Sequence, residues 1–147
     1  MIAVIDHEMG NLRSVVNGFA RVGFEAHLVG RPEDISRARG LVLPGVGAFR
    51  DCMDGLRGRG LIEPLIEALE KGIPYLGICL GLQILFEESE EFEGSQGLGV
   101  LPGRVRRLPS FGQDGERLKV PHMGWNRLNI GREHPLLEGV GKEDYFY

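Results

Sequence analysis

The chain is poor in cysteine. Among its 147 residues only Cys52 and Cys79 are cysteines, and they stand far apart. A small secreted domain held by disulfides needs several paired cysteines, so two separated ones predict free thiols in a reducing compartment. We therefore expect a cytoplasmic protein.

Long hydrophobic runs are also missing. The longest apolar stretch, residues 73–82, has about half the length that a helix needs to span a bilayer. The first residues carry no basic segment, and Ile2–Ile5 is too short for the apolar part of a signal peptide. We expect neither a membrane role nor a secretory signal.

The chain has no excess of positive charge. Its net charge is -4, and its lysines and arginines are scattered, which argues against a nucleic-acid-binding surface. Arg104, Arg106 and Arg107 form the only dense basic group in the sequence. Arg104 and Arg106 would share one face of a strand, so we interpret the group as a solvated or partner-facing edge rather than a phosphate site.

Sequence signatures of metal and nucleotide sites are absent as well. The histidines are widely spaced, and none pairs with a cysteine at the spacing of metal ligands. The sequence has neither a Gly-Lys-Ser or Gly-Lys-Thr loop nor a three-glycine dinucleotide fingerprint. We expect no metal and no cofactor.

What the sequence does contain is enough apolar material, 42% of residues, for one sizeable core, and we predict a single domain over residues 1–147. Short apolar runs alternate with segments of helical periodicity. Such runs joined by helices imply parallel strands and right-handed crossovers, hence an α/β fold with an open, doubly wound, mostly parallel sheet of the flavodoxin type. The predicted strands are 2–5, 24–29, 41–43 (stopped by Pro44-Gly45) and 73–78; the predicted helices cover 12–23, two segments between 53 and 69 broken near Gly58 and Gly60, and 80–88.

After Glu93 the sequence changes to glycine, proline and short alternating segments. This pattern favours antiparallel strands at the edge of the sheet, at 104–108 and 127–130. Asp144–Tyr147 has the composition of the beginning of a further strand.

Gly77–Gly81, with the sequence Gly-Ile-Cys-Leu-Gly, is the most informative segment, and we call it the elbow. A nucleophile on a sharp turn between strand and helix is flanked by small residues, which let the two elements approach closely. Cys79 would then stand at a helix N-terminus, where free N–H groups and the helix dipole stabilise a thiolate. The alternative is a buried cysteine at an ordinary strand-helix junction.

Other chemistry-bearing residues converge on the same edge of the predicted sheet. Asp6, Pro44–Gly47 and Cys79 all follow predicted strand ends, and ligands bind open parallel sheets there. The amides of Val46 or Gly47, with that of Leu80, could hold the oxyanion of an acyl-transfer reaction. A Pro-Gly-Val-Gly segment alone is more often a plain turn.

Four groups of residues occur in order along the chain: Asp6 with Gly10–Ser14, Pro44–Phe49, Gly77–Gly81 with Gln83 and Leu85–Glu87, and Pro121–Asn126. Taken together, these motifs resemble the glutamine amidotransferase subunit of imidazole glycerol phosphate synthase, a class I glutamine amidotransferase. The match runs through the whole chain in order. The elbow alone indicates only the class, whereas the segments at 44–49 and 121–126 are typical of this subunit.

The resemblance implies hydrolysis of glutamine to glutamate and ammonia and transfer of the ammonia to a cyclase subunit, the partner in a heterodimer. The cyclase forms imidazole glycerol phosphate and AICAR in L-histidine biosynthesis. By motif, Cys79 would form the glutamyl thioester, and the partner interface would include the only tryptophan, Trp125. The implied roles are nucleophile for Cys79; oxyanion binding for Gly45, Val46, Gly47 and Leu80; contacts to the α-amino and α-carboxylate groups of glutamine for Gln83 and Glu91; and cyclase contacts for Gly10, Asn11, His122, Met123, Gly124, Trp125 and Asn126.

Some of these assignments have plain alternatives. Glu91 closes the acidic run that begins at Glu87, which is otherwise typical of a solvated face. Trp125 could be a core residue rather than an interface anchor. His7 and Glu8 occupy positions where relatives commonly carry other residues, and Cys52 is expected to be a core thiol on a helix face.

The resemblance also implies a His-Pro-Glu segment, with a general base and the glutamate that orients it, which the 147 residues do not contain. We expect an incomplete copy of the domain with negligible glutaminase activity, and His122 is not expected to replace the base. Two other hypotheses stay open: a noncatalytic module that only binds the cyclase, and a stand-alone cysteine hydrolase with a base of its own.

Overall fold

A computed structural model describes residues 1–147, apart from the side chain of Glu93. The chain forms two compact units, residues 1–107 and residues 108–147. The assignment of both to one domain remains a prediction.

The first unit is built on a four-stranded parallel sheet with the order β2-β1-β3-β4. This arrangement confirms the predicted parallel sheet, and the order is that of the flavodoxin type. The strands are β1 Ile2–Ile5, β2 Ala26–Val29, β3 Gly40–Gly45 and β4 Tyr75–Cys79.

Strand β3 corrects the prediction that Pro44 and Gly45 end it, because both residues belong to the strand. Leu41 donates its N–H to the carbonyl of Pro74 beside β4. The backbone polar groups of successive residues in a strand point to alternate sides. Those of Pro44, three residues further on, therefore point toward β1. The pairing of β1 with β3 ends at Val4 and Val42. A proline without an N–H is therefore tolerated at this position, since no ladder bond is needed there.

Helices cover both faces of this sheet, as predicted for a doubly wound fold. Val4, Ala26 and Val42 pack with residues of α1 on one face. Ala3, Ile5 and their neighbours form the larger core with the other helices on the opposite face. The helices are α1 Leu12–Arg21, α2 Pro32–Ser36, α3 Phe49–Gly58, α4 Ile62–Glu70 and α5 Leu80–Gln83.

The predicted helix over residues 80–88 is wrong beyond its first turn. Helix α5 ends at Gln83, and Phe86–Ser89 forms strand β5. This strand pairs on both sides, antiparallel with β6 at Ser95–Gln96 and parallel with β7 at Leu101–Val105. Hydrogen bonds to two partner strands override the local preference for helix.

The strands after Glu93 do not extend the main sheet, which corrects the prediction of antiparallel strands at its edge. Strands β6 and β7 form a separate three-stranded sheet with β5. Arg104 in β7 lies 3.3 Å from the carboxylate of Glu88 in β5, and Arg106, just after β7, lies 3.2 Å from that of Glu90, just after β5. All four side chains are substantially exposed, which agrees with the interpretation of a solvated surface.

The second unit contains one short antiparallel pair, β8 at Asn126–Arg127 and β9 at Tyr145–Phe146. Both predicted strands of this region exist but are shorter than expected. A 3₁₀ turn covers Pro135–Leu137. Within the described part of the chain, no helix is both long and apolar enough to cross a membrane.

Candidate active site

Cys79 is the last residue of β4 and directly precedes α5. Its backbone has φ 56° and ψ -113°, a left-handed conformation that is strained for any residue other than glycine. Such strain marks a nucleophile elbow, in which the turn between strand and helix is too sharp for ordinary backbone angles. The thiol is free and exposed, so the alternative of a buried cysteine at an ordinary junction is wrong.

The glycines that flank Cys79 allow this turn. A Cβ atom on Gly77 would lie 2.6 Å from backbone atoms of Gly81 and Leu82. A Cβ atom on Gly81 would overlap the carbonyl oxygen of Leu43 in the neighbouring strand. The predicted reason for the two small residues is therefore confirmed.

Leu80 begins helix α5 and is buried. As the first helical residue, it has an N–H group without an intrahelical acceptor. The helix has only four residues, so the extended dipole expected from a helix over 80–88 is replaced by the local N–H groups of a single turn.

Gly45–Gly47, which we call the oxyanion segment because the sequence predicts that role, begins directly beside Cys79. Gly45 is the register partner of Cys79 in the parallel pairing of β3 with β4. A Cβ atom on Gly45 would lie 2.7 Å from the Cβ of Leu80, so only glycine fits against the elbow. Val46 and Gly47 follow on the exposed surface, and Gly47 has φ 89°.

The acidic residue assigned to substrate binding lies near the other end of this loop. One carboxylate oxygen of Glu91 accepts a hydrogen bond from the N–H of Phe49 at 2.8 Å, at the first residue of α3. Arg50 donates to the carbonyl of Phe92 and so fastens the same turn to α3. Glu91 is exposed but is not merely a solvated charge, because it caps a helix.

Gln83 is the last residue of α5, half-buried, one helical turn beyond Cys79. Because Cys79 itself is not helical, the contact of Gln83 with substrate remains a prediction.

The residues assigned to the cyclase interface are divided between the units. In the first unit, the side chain of Asn11 accepts from the N–H of Ser14 at 3.2 Å and caps α1. In the second unit, Trp125 is 68% exposed, and its ring meets that of Tyr147 edge to face with 5.4 Å between centroids. The core alternative for Trp125 is therefore wrong. The other members are Gly10 in the first unit and His122, Met123, Gly124 and Asn126 in the second.

The structure adds two residues that sequence reasoning did not place in the site. Tyr75, in β4, donates its hydroxyl to the carbonyl of Gly81 at 2.6 Å and so braces the elbow. Burial, and the nearby Cys52, raise the pKa of the Tyr75 phenol. His7 donates to the carbonyl of Pro44 at 2.7 Å. The only signal for Tyr75 in the sequence was a single aromatic residue in an otherwise aliphatic strand. The only signal for His7 was that it stands at a position where relatives commonly carry another residue.

Cys52 lies on α3 and is fully buried, as expected for a core thiol. Burial raises the pKa of its thiol to about 12, so it stays protonated near neutral pH. Among the side chains that the structure describes, no group of three or more His, Cys, Asp or Glu residues is placed to hold a metal ion.

Comparison with known proteins agrees with this geometry. The family model described as glutamine amidotransferase class-I matches residues 3–146. The imidazole glycerol phosphate synthase subunit HisH of Syntrophotalea carbinolica is 55% identical, covering 99% of this chain and 72% of that protein. The same subunit of Geobacillus thermodenitrificans is 53% identical, covering 100% of this chain and 68% of that protein.

A solved structure described as a glutamine amidotransferase superposes with a TM-score of 0.63 at 25% identity. The match covers 73% of this chain and 57% of that one. The 147 residues thus span 72% and 68% of the two HisH proteins. The chain belongs to the class I glutamine amidotransferases and, within them, to the HisH subunits of imidazole glycerol phosphate synthase.

Proposed function

We propose that this chain supplies the nucleophile and oxyanion site of a glutaminase, and that the ammonia it releases serves a cyclase subunit. The observation that carries the proposal is the pairing of Gly45 with Cys79 across β3 and β4. This register sets an exposed thiol on a strained elbow against a glycine segment that can turn its amides toward the reacting carbonyl.

The reaction begins with attack of the Cys79 sulfur on the side-chain amide carbon of glutamine. As the C–S bond forms, the carbonyl electron pair moves to oxygen, and the N–H of Leu80 with that of Val46 or Gly47 holds the oxyanion. Collapse of this intermediate breaks the C–N bond, and the nitrogen leaves as ammonia after taking the proton that the Cys79 thiol has given up. Water then hydrolyses the thioester to glutamate and restores the thiol.

Gln83 and Glu91 would bind the amino-acid end of the substrate. The Glu91 carboxylate uses one oxygen to cap α3, but a carboxylate has about four acceptor positions. It can thus also accept from the α-ammonium group of glutamine. This second role would orient the side-chain amide toward the thiol.

The proton transfers require a general base, which the resemblance assigns to a His-Pro-Glu segment not contained in these residues. The proposed partner is the cyclase of imidazole glycerol phosphate synthase in L-histidine biosynthesis, bound through Gly10–Asn11 and His122–Asn126. The exposure of Trp125 supports this surface, since aromatic anchors dominate interfaces.

A chloroketone analogue of glutamine tests the nucleophile without needing the hydrolytic base. The thiolate displaces chloride, forming a C–S bond, while the ketone oxygen occupies the oxyanion position. We expect mass spectrometry to find the label on Cys79 and not on Cys52, and excess glutamine to slow labelling. Cys79→Ser should abolish it, and Cys52→Ser should leave it unchanged.

Equal labelling of both cysteines, or labelling that glutamine does not slow, would contradict the proposal. Binding of the cyclase without selective labelling would instead support a noncatalytic binding module. Glutamine-protected labelling together with turnover in the absence of any cyclase would support the stand-alone hydrolase.

A further inference from the structure

The loop between β1 and α1 reaches the beginning of the oxyanion segment through a buried histidine. The side chain of His7 is fully buried, and its Nε2 lies 2.7 Å from the carbonyl oxygen of Pro44. A carbonyl oxygen only accepts, so Nε2 carries the proton and donates. His7 is thus bonded to the residue that directly precedes Gly45.

The position of this bond follows from the strand geometry. Pro44 faces the β1 side of β3, because Leu41, an odd number of residues away, faces β4. The pairing of β3 with β1 ends at Val42 and Val4, so the described backbone of β1 offers no N–H group to the Pro44 carbonyl. The imidazole of His7 donates to the Pro44 carbonyl in the place where a backbone N–H of β1 would otherwise do so.

Filling space does not explain a histidine here. Among the described residues, Nδ1 of His7 is buried and has no hydrogen-bond partner. A buried, unpaired nitrogen lowers stability, whereas an apolar side chain of similar size would not carry that cost. What the apolar side chain would lose is the donor to Pro44.

Neighbouring residues of the same loop also contact the oxyanion segment. A Cβ atom on Gly47 would lie 2.9 Å from the Cε of Met9. A Cβ atom on Gly10 would lie 3.7 Å from the carbonyl carbon and oxygen of Pro44. The loop therefore packs along the segment, and His7 provides its directional bond.

We propose that His7 is a positioning residue for the glutaminase reaction: its bond fixes the Pro44 peptide and thereby the direction of the amides of Gly45–Gly47. The proposal rests on the proposed function, since that assigns the segment to oxyanion binding. Residues 45–47 include two glycines and have little side-chain restraint of their own, so an anchor at the preceding peptide sets where they point.

Three substitutions separate the donor from the bulk of the ring. The amide of His7→Gln places an N–H where Nε2 stands, while the shorter amide of His7→Asn places it where Nδ1 stands. His7→Leu removes the donor altogether. For each variant the rate of Cys79 labelling is measured with the glutamine chloroketone and with iodoacetamide, which reports thiol exposure without an oxyanion site.

We expect His7→Asn and His7→Leu to slow chloroketone labelling by roughly tenfold or more, because misplaced donors lose transition-state stabilisation steeply. Iodoacetamide labelling should not change, and His7→Gln should restore the chloroketone rate. A parallel fall with both reagents, or a failure of Gln to rescue, would overturn the proposal. If His7→Leu does not fold, the Gln and Asn pair decides.

Amide hydrogen exchange of peptides covering residues 45–48 separates this proposal from the proposed function. Faster exchange in His7→Asn and His7→Leu, but not in His7→Gln, supports the anchor even if the wild-type chain shows no selectivity for the glutamine analogue. That lack of selectivity would refute only the proposed function. Equal exchange in all variants would overturn the role of His7.

Discussion

Gly45 and Cys79 lie opposite each other as the last register pair between β3 and β4. These two neighbouring parallel strands thus end at the same level, one at the proposed nucleophile and the other at the start of the oxyanion segment. Because register is shared along both strands, a shift in the packing of either one changes the distance between thiol and donors. We therefore expect the stability of the elbow and the proposed chemistry at Cys79 to be linked.

Gly81→Ala should destabilise the chain by about 1–3 kcal/mol or more, because the added methyl group would overlap the Leu43 carbonyl. Gly18→Ala is the matched control, since a Cβ at that helical position in α1 has nothing within 4 Å. It should stabilise by about 0.5–1 kcal/mol. Urea unfolding measures both, and equal effects would contradict the close approach of elbow and sheet.

Glu91 can be separated into a cap and a substrate ligand by two substitutions. Glu91→Ala should lower the free energy of unfolding by about 1 kcal/mol, because the Phe49 N–H loses its acceptor. Glu91→Gln keeps an acceptor and should be close to wild type in stability. It should nevertheless slow chloroketone labelling by about tenfold, because a hydrogen bond between charged groups contributes about 1.5–3 kcal/mol.

Unchanged labelling of the Glu91→Gln variant, with intact stability, would leave Glu91 only as a helix cap. Urea unfolding measures the role of Glu91 as a helix cap. Labelling rates at limiting and at saturating concentrations of the analogue measure its role in substrate binding, because weaker binding slows labelling at limiting concentration but not at saturation.

Burial of Cys52 should make the fold sensitive to alkali. The pKa of its thiol is raised from 9.0 to about 12, so between these values the unfolded chain binds fewer protons than the folded one. Stability is fully present below about pH 9 and then falls by up to about 1.4 kcal/mol per pH unit from this group. Cys52→Ala should show a shallower loss in urea unfolding followed from neutral to alkaline pH.

Tyr75 shifts stability in the same direction, since its pKa is also raised by burial, but it is present in both proteins. Because Cys52 also contributes to the raised pKa of Tyr75, the difference between the slopes of the two proteins reports the Cys52 thiol together with its effect on Tyr75. Identical slopes would contradict a buried, protonated thiol in the folded state.

Trp125→Ala should weaken binding of the cyclase subunit by about 2 kcal/mol or more, as expected for a central aromatic anchor. Phe24→Ala provides the control: Phe24 is also exposed, but it precedes β2, at the opposite end of the strands from Asp6 and Cys79. Titration calorimetry with the purified cyclase compares the two. Equal losses, or none for Trp125, would exclude this tryptophan from the interface.

Much of this architecture was predictable from periodicity. The apolar run Ile2–Ile5, the helical spacing from Leu12 and the break between α3 and α4 all appear in the structure. These features are local, because alternation and capping residues act within a few positions of the chain. The elbow was equally readable, since the glycines of its motif reflect a steric requirement of the turn itself.

The errors lie where distant residues compete with local preference. Residues 84–88 were predicted as helix, yet β5 pairs with two strands that come later in the chain. Pro44 was predicted to end β3, although the missing N–H falls on the side where the β1 ladder has already stopped. Neither the pairing of β5 nor the end of the β1–β3 pairing can be predicted from a short stretch of sequence, because both depend on distant residues.

The sequence by itself determined the elbow motif around Cys79, the glycine segment and the order of the main strands and helices, because each depends on residue type and short spacing. The tertiary structure alone decided that Gly45 faces Cys79, that Glu91 caps α3 and that His7 bonds to Pro44. Each of these contacts joins residues more than 30 positions apart. Such contacts depend on strand register and burial, which only the folded chain establishes.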